Sequence, residues 1–253
     1  MSDIQFPAVS VAAEAPALTQ AQRAIYTFTA PSKTFADIKR STSWWLPFLL
    51  TVIVTYGFFA AITVKVTWNQ VAENTIKLSH KQSEQLDKLT PEARASQMKI
   101  ISISTEAIMA ATPILALVIT AVIAGVLLAT INFGFGGKAT FWESFAVTFY
   151  AGLPGIIKVI LGTVVLFVGL DPENFNIKNF AGTNIGYYLP ADTSKGLMSL
   201  ATSLDVTTIW TLVLASIGIS IVAGTKRSSG YIAVFGWWIV LVLIGIGSAV
   251  AFS

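Results

Sequence analysis

Five apolar runs of about twenty residues constrain this chain more than any other feature of it. They lie at about 46–66, 110–131, 143–170, 206–223 and 231–251. An α-helix rises 1.5 Å per residue, so about twenty residues match the roughly 30 Å hydrocarbon core of a bilayer. In lipid such a run has to be helical, because only hydrogen bonds within the segment satisfy its backbone. The charged share is 11%, less than half of the roughly 25% usual in a soluble domain. Continuous apolar runs also argue against a membrane β-barrel, whose strands read as short alternating segments. The expected fold is all-α: a polytopic membrane helical bundle with five transmembrane helices and an extramembrane helical hairpin between the first two.

The third run differs from the others. From Phe141 to Leu170 it would make a helix of roughly 45 Å, too long for one straight crossing. It contains Gly152-Leu153-Pro154-Gly155, a cluster that cannot continue a helix undisturbed. Either the helix kinks at Pro154, or the segment before it lies at the interface and the crossing begins there. Just beyond stands Lys158, the only charge well inside an apolar run. A lysine at span depth costs about 2.5–3.5 kcal/mol on insertion scales, so it calls for water, a headgroup or an acid. If the crossing begins at Pro154, Lys158 is one turn in and can snorkel. Otherwise it is an anion or lipid contact, or half of an ion pair. Glu143 is about 22 Å away along a straight helix, and Asp205 is expected near the opposite interface, so neither is an obvious partner.

The flanking segments supply the rest of the architecture. Residues 1–22 are rich in Ala and Pro and are expected to be a disordered tail, leaving 23–253 as one membrane domain. Pro31 to Ile38 is a short helix in which Ser32 can serve as the cap and Phe35 and Ile38 share a face. It either lies on the membrane surface or packs as a cap on the bundle. Residues 67–106 form a mixed-charge arm. The first span is expected to continue into it as a helix, and Thr90-Pro91-Glu92 restarts the chain as a second helix. Ala121, Gly125 and Ala129 form a small-residue stripe suited to close helix approach, as do Ser216, Ser220 and Gly224. Phe133-Gly-Phe-Gly-Gly-Lys138 follows a helix rather than a strand, so it reads as a helix end and turn instead of a phosphate loop. Asp205 is placed to cap the fourth span, with Trp210 one turn in.

The composition also bounds the chemistry. The chain has no cysteine, so thiol catalysis and Cys-ligated metal are excluded. Its one histidine, His80, lies in the polar arm without metalloprotease or triad context. No cofactor, metal site or nucleic-acid partner is expected, and the formal charge of +3 reads as membrane orientation. The positions singled out for function or packing are Lys158, Pro154, Asp205, Trp210 and Glu143.

Several stretches carry a family pattern. Pro31-Ser-Lys-Thr-Phe-Ala-Asp-Ile precedes Trp44-Trp45-Leu46-Pro47. Tyr150-Ala-Gly-Leu-Pro154 follows, and then Leu204-Asp-Val-Thr-Thr-Ile-Trp210 with Gly218, Gly224 and Lys226. In order and spacing these resemble the Yip domain, the Ypt-interacting-protein family of five-span membrane proteins. The resemblance implies a cytosolic N-terminus, five crossings and a role in membrane trafficking or organisation. Eukaryotic relatives are associated with Rab-type small GTPases and generally have a longer cytosolic N-terminal region, so the short tail points to a bacterial member in the inner membrane. The expected function is a non-enzymatic scaffold or adaptor that organises membrane proteins or lipids, with a membrane-protein partner or a second copy. Two other classes compete: a small transporter or channel built on the break at Pro154 and Lys158, and an accessory subunit docked through the arm.

Overall fold

The computed structural model describes residues 16–78, 80–169, 171–190 and 192–251. Most of the expected tail lies outside these residues, as does the side chain of His80. The helical chain starts earlier than expected, with α1 at Gln20–Thr29. Thr19 and Gln22 form a capping box there, satisfying two orphan amides reciprocally. Helix α2, Pro31–Ile38, follows after one residue. Pro31 opens it, and Ser32 does not cap it; that hydroxyl instead accepts from Arg227 at 3.0 Å. Phe35 and Ile38 are fully buried in the main core. The pair α1–α2 is therefore a cap packed on the bundle, not a helix lying on the membrane surface.

The first span, α3, is Trp45–Lys65. It stops instead of continuing into the arm, which corrects the sequence reading. Thr67 has φ +71°, a left-handed value that a β-branched residue reaches only under constraint. Three helices then build the arm: α4 at Trp68–Lys77, α5 at His80–Asp87 and α6 at Pro91–Ala110. Thr90, Pro91 and Glu92 start α6 as cap, first residue and first-turn acid. The arm is pinned to the bundle. Trp68 and Val71 share a core with Phe58, Ile62 and Phe175, and Asn74 donates to the carbonyls of Pro172 at 2.8 Å and Phe175 at 2.9 Å.

Helix α7, Thr112–Ala129, continues from α6 with a break at Ala111. A π-helical turn, Thr130–Gly134, lengthens this span beyond the expected end at 131. The glycines after it make a tight turn in which Gly136 has φ +69°. The third span is α8, Phe141–Ala151, followed by α9, Leu153–Val168. The break centres on Gly152, with Pro154 in the first turn of α9. The chain before the break is no interfacial segment: Ala146, Val147 and Tyr150 are fully buried at the centre of the core.

After the 171–194 connection come α10 at Lys195–Ser203, α11 at Val206–Ala223 and α12 at Arg227–Ala251. The last helix begins a turn earlier than its apolar run. Gly224, at φ +67°, ends α11 in a left-handed cap and reverses the chain at once.

The small-residue stripes fare differently. On α11, Ser216 and Ser220 are buried, and a β-carbon added to Gly230 of α12 would collide with the Ser216 carbonyl. On α7 the close approach is made by Ala124, whose carbonyl accepts from the Ser144 hydroxyl at 2.9 Å. An added β-carbon at Gly125 would meet nothing within 4 Å, so that part of the expected stripe is not used within the chain.

The α11–α12 contact gives a direct test. Gly230→Val should lower stability by about 1–3 kcal/mol, because a carbonyl cannot retreat as a side-chain end can. Gly236→Val, where an added β-carbon meets nothing within 4 Å, should behave as wild type. Thermal unfolding in micelles distinguishes the two, and equal melting temperatures would contradict this packing.

Candidate functional site

Asp205 and Lys158 meet. The Lys158 ammonium donates to Asp205 Oδ2 at 2.9 Å, although the sequence placed the two at opposite interfaces. Two features explain the difference. First, α8 is part of the crossing, so Lys158 stands seventeen residues, or roughly 25 Å, along from Phe141 instead of one turn in. Second, α11 has 18 residues and α12 has 25, so α11 is shorter by roughly 10 Å. The connection folds down into the space above α11. There α10 packs on the last turns of α12, with Gly196 against Ile246 and Val250. Phe180 closes over Gly162 and Phe58.

Asp205 is the centre of this junction. As the cap of α11, its Oδ1 accepts from the amides of Thr207 at 2.9 Å and Thr208 at 3.1 Å, and from the Thr207 hydroxyl at 2.6 Å. Its Oδ2 accepts from Lys158 and, at 2.6 Å, from the Thr183 hydroxyl. Thr183 belongs to the connection, and its carbonyl accepts from Val206 N at 3.0 Å. One carboxylate thus ties α9, the connection and α11 together. Its side chain is 2% exposed and that of Lys158 is 25% exposed. Burial alone would raise the carboxyl pKa. The hydrogen bonds from Thr183, Thr207, Lys158 and the Thr208 amide outweigh it, and Asp205 is held below the usual carboxylate range. Five donors fill the acceptor sites of its two oxygens. The arrangement is a clamp.

The remaining candidates take structural places. Pro154 shapes the start of α9. Glu143 belongs to a capping box with Thr140, accepting from its amide at 2.7 Å and its hydroxyl at 2.8 Å. Trp210 meets the Phe28 ring edge-on at 5.4 Å and lines an apolar groove of about 480 Å³ with Ile25, Leu50, Leu153 and Ile157. Among the described residues, no group of three or more His, Cys, Asp or Glu gathers in a way that would hold a metal.

A second buried pair was missed in the sequence. Arg23 Nε donates to Asp37 Oδ2 at 2.7 Å, with side chains 2% and 6% exposed. The guanidinium also donates to the carbonyls of Ser41 and Asp37. The signal was present: Asp37 is the only acid between Glu14 and Glu73, so it is the one local partner for a basic residue buried there. Nothing in the sequence marked Thr183, a loop threonine that becomes important only when the connection folds back.

The family model for the Yip1 domain matches residues 25–249. Neither a curated protein nor a solved structure matches the chain.

Removing Asp205 alone should cost more than removing Asp205 and Lys158 together, because it leaves the ammonium without its partner. Asp205→Ala removes the cap, about 1 kcal/mol, and also strands Lys158. It should therefore destabilise more than Lys158→Met, whose partner keeps its threonine donors. Unfolding of both variants and the double variant checks this, and additive losses would contradict it.

The depressed Asp205 pKa sets a pH dependence with a definite sign. As pH falls below about 4, the unfolded chain takes up the proton first, so stability is full above that value and declines below it. Wild type should lose melting temperature more steeply between about pH 4 and 2 than Asp205→Asn; parallel curves would refute the assignment.

Proposed function

The chain belongs to the Yip1 domain family, and from that premise we propose that it is a non-enzymatic scaffold that gathers membrane proteins through its arm. The observation that carries this is the contrast between interior and arm. The ionisable groups within the bundle are engaged with one another: Lys158 with Asp205 and Arg23 with Asp37. The arm is firmly attached to the bundle yet presents isoleucines outside the spans, with Ile100 and Ile103 more than half exposed. Apolar side chains exposed side by side outside the membrane suit an interaction site, whereas singly scattered ones would need no explanation.

The proposed setting is a bacterial inner membrane with the N-terminus in the cytoplasm. The short turns at one end of the bundle carry Lys138, Lys226 and Arg227, beside Lys33, Lys39 and Arg40. Once Arg23 is paired with Asp37, Glu143 is the one further acid at this end among the described residues. At the other end, residues 67–106 and 171–194 hold eight acids against six basic residues. Dense Lys and Arg in short segments face the cytoplasm. In this orientation the arm lies on the far side from any cytosolic GTPase, so the partner class proposed is a membrane protein and not a Rab-type protein. A transport reading gains no support from the clamp, because the one cation deep in a span is neutralised in place.

Deleting residues 70–98 should leave insertion intact and abolish recovery of crosslinked membrane neighbours. Undiminished recovery by the correctly inserted variant would overturn the scaffold reading.

A further inference from the structure

The arm holds a groove between α4 and α6 of about 680 Å³, within the roughly 300–1,000 Å³ range of small-molecule sites. Its apolar walls include Trp68, Met98 and Ile103. The Trp68 indole N–H is already engaged with Thr63 at 3.0 Å, so that residue offers only its ring. Charges on such an arm ordinarily face water and need no further account. Ser102 is different. It is 5% exposed and lines the groove, yet its hydroxyl has no hydrogen-bond partner among the described residues. Buried polar groups are seldom left in that state, because each one costs free energy. Glu106, partly buried one turn further along α6, also has no side-chain partner among the described residues. The same holds for Lys99 and, across the groove on α4, for Glu73.

We infer that this groove binds a small soluble zwitterion, with its primary ammonium on Glu106 and Ser102 and its anionic group on Lys99. The inference goes beyond the scaffold reading and does not depend on it. Lys99, Ser102 and Glu106 stand at intervals of three and four, so they share one stripe of α6. Lys99 and Glu106 are two turns, or about 10 Å, apart, and a molecule with a charge at each end can bridge them. Carboxylate and hydroxyl oxygens both accept from an ammonium, in hydrogen bonds strengthened by charge. The order of the charges selects a solute over a lipid headgroup. The candidate span after α6 begins at Thr112, so Glu106 lies roughly 9 Å and Lys99 roughly 20 Å before it. Headgroups occupy only about 5–8 Å on each side of the hydrocarbon. A zwitterionic phospholipid also holds its phosphate nearer the membrane than its ammonium. It would bring phosphate toward Glu106 and ammonium toward Lys99, like against like. A molecule arriving from water can enter ammonium first.

The test uses 6-aminohexanoate, which carries an ammonium and a carboxylate at opposite ends of a methylene chain. Hexylamine and hexanoate, each lacking one of the charges, serve as controls. Isothermal titration of the full chain in phosphatidylcholine nanodiscs should show saturable binding of 6-aminohexanoate, about tenfold tighter than either control. Glu106→Gln should weaken that binding by about tenfold, and Ser102→Ala by several-fold, with helix content unchanged. Lys99→Gln should weaken 6-aminohexanoate several-fold and leave hexylamine unaffected. Glu84→Gln, on α5 outside the groove, should bind as wild type. Absence of saturable binding by the folded wild type, equal binding of all the probes, or undiminished binding by the folded Glu106→Gln and Lys99→Gln variants would each overturn the inference. Displacement of 6-aminohexanoate by phosphatidylethanolamine added to the nanodiscs would give the groove to a lipid headgroup and overturn it as well.

Discussion

The architecture depends on the fact that a carboxylate below the outer ends of a helical bundle cannot be left unpaired. Asp205 starts α11 one to two turns short of its neighbours, and the shortfall has to be filled by chain that brings its own hydrogen-bond donors. The connection after α9 does this: Thr183 supplies a hydroxyl, Phe180 supplies bulk against Gly162, and α10 lies against α12. Non-helical backbone is tolerated at such depth only where protein surrounds it. The lysine that looked anomalous as an isolated charge is the counter-ion that this geometry requires.

The same logic operates at the other end of the molecule. There α1 and α2 enter the core with Phe35 and Ile38, and they can do so because Arg23 and Asp37 neutralise each other and use the remaining donors on nearby carbonyls. Gly218 of α11 is the matching concession, since an added β-carbon would press on both Phe35 and Val147. Two buried ion pairs thus fix two packing layers on the same helix, α11. This is consistent with its being the most enclosed of the five spans, half buried where α12 is 11% buried.

The five spans were legible because solvation by lipid fixes length and hydropathy together, and these are properties of a sequence window. The start of α6 was legible because Thr90 and Pro91 act locally, and the cap by Asp205 for the same reason. The reach of Asp205 to Lys158 was not. It depends on the relative lengths of α9, α11 and α12 and on a connection with no periodicity. The break after α3 was equally hidden, since Thr67 gives no local sign of a positive φ. Glu143 shows the converse: a charge beside a long apolar run invited a functional reading, while the spacing from Thr140 to Glu143 already spelled a capping box.

Contact between one lysine and one aspartate in a lipid bilayer holds the rest in place. Solid-state NMR of the protein in liposomes, with ¹⁵Nζ of lysine and ¹³Cγ of aspartate labelled, measures it without altering a residue. A strong dipolar coupling assigned to Lys158 and Asp205 is predicted, as the 2.9 Å N–O contact requires. Absence of that coupling, with the Lys158 ammonium exchanging freely with water, would contradict the clamp and the folded-back connection built on it.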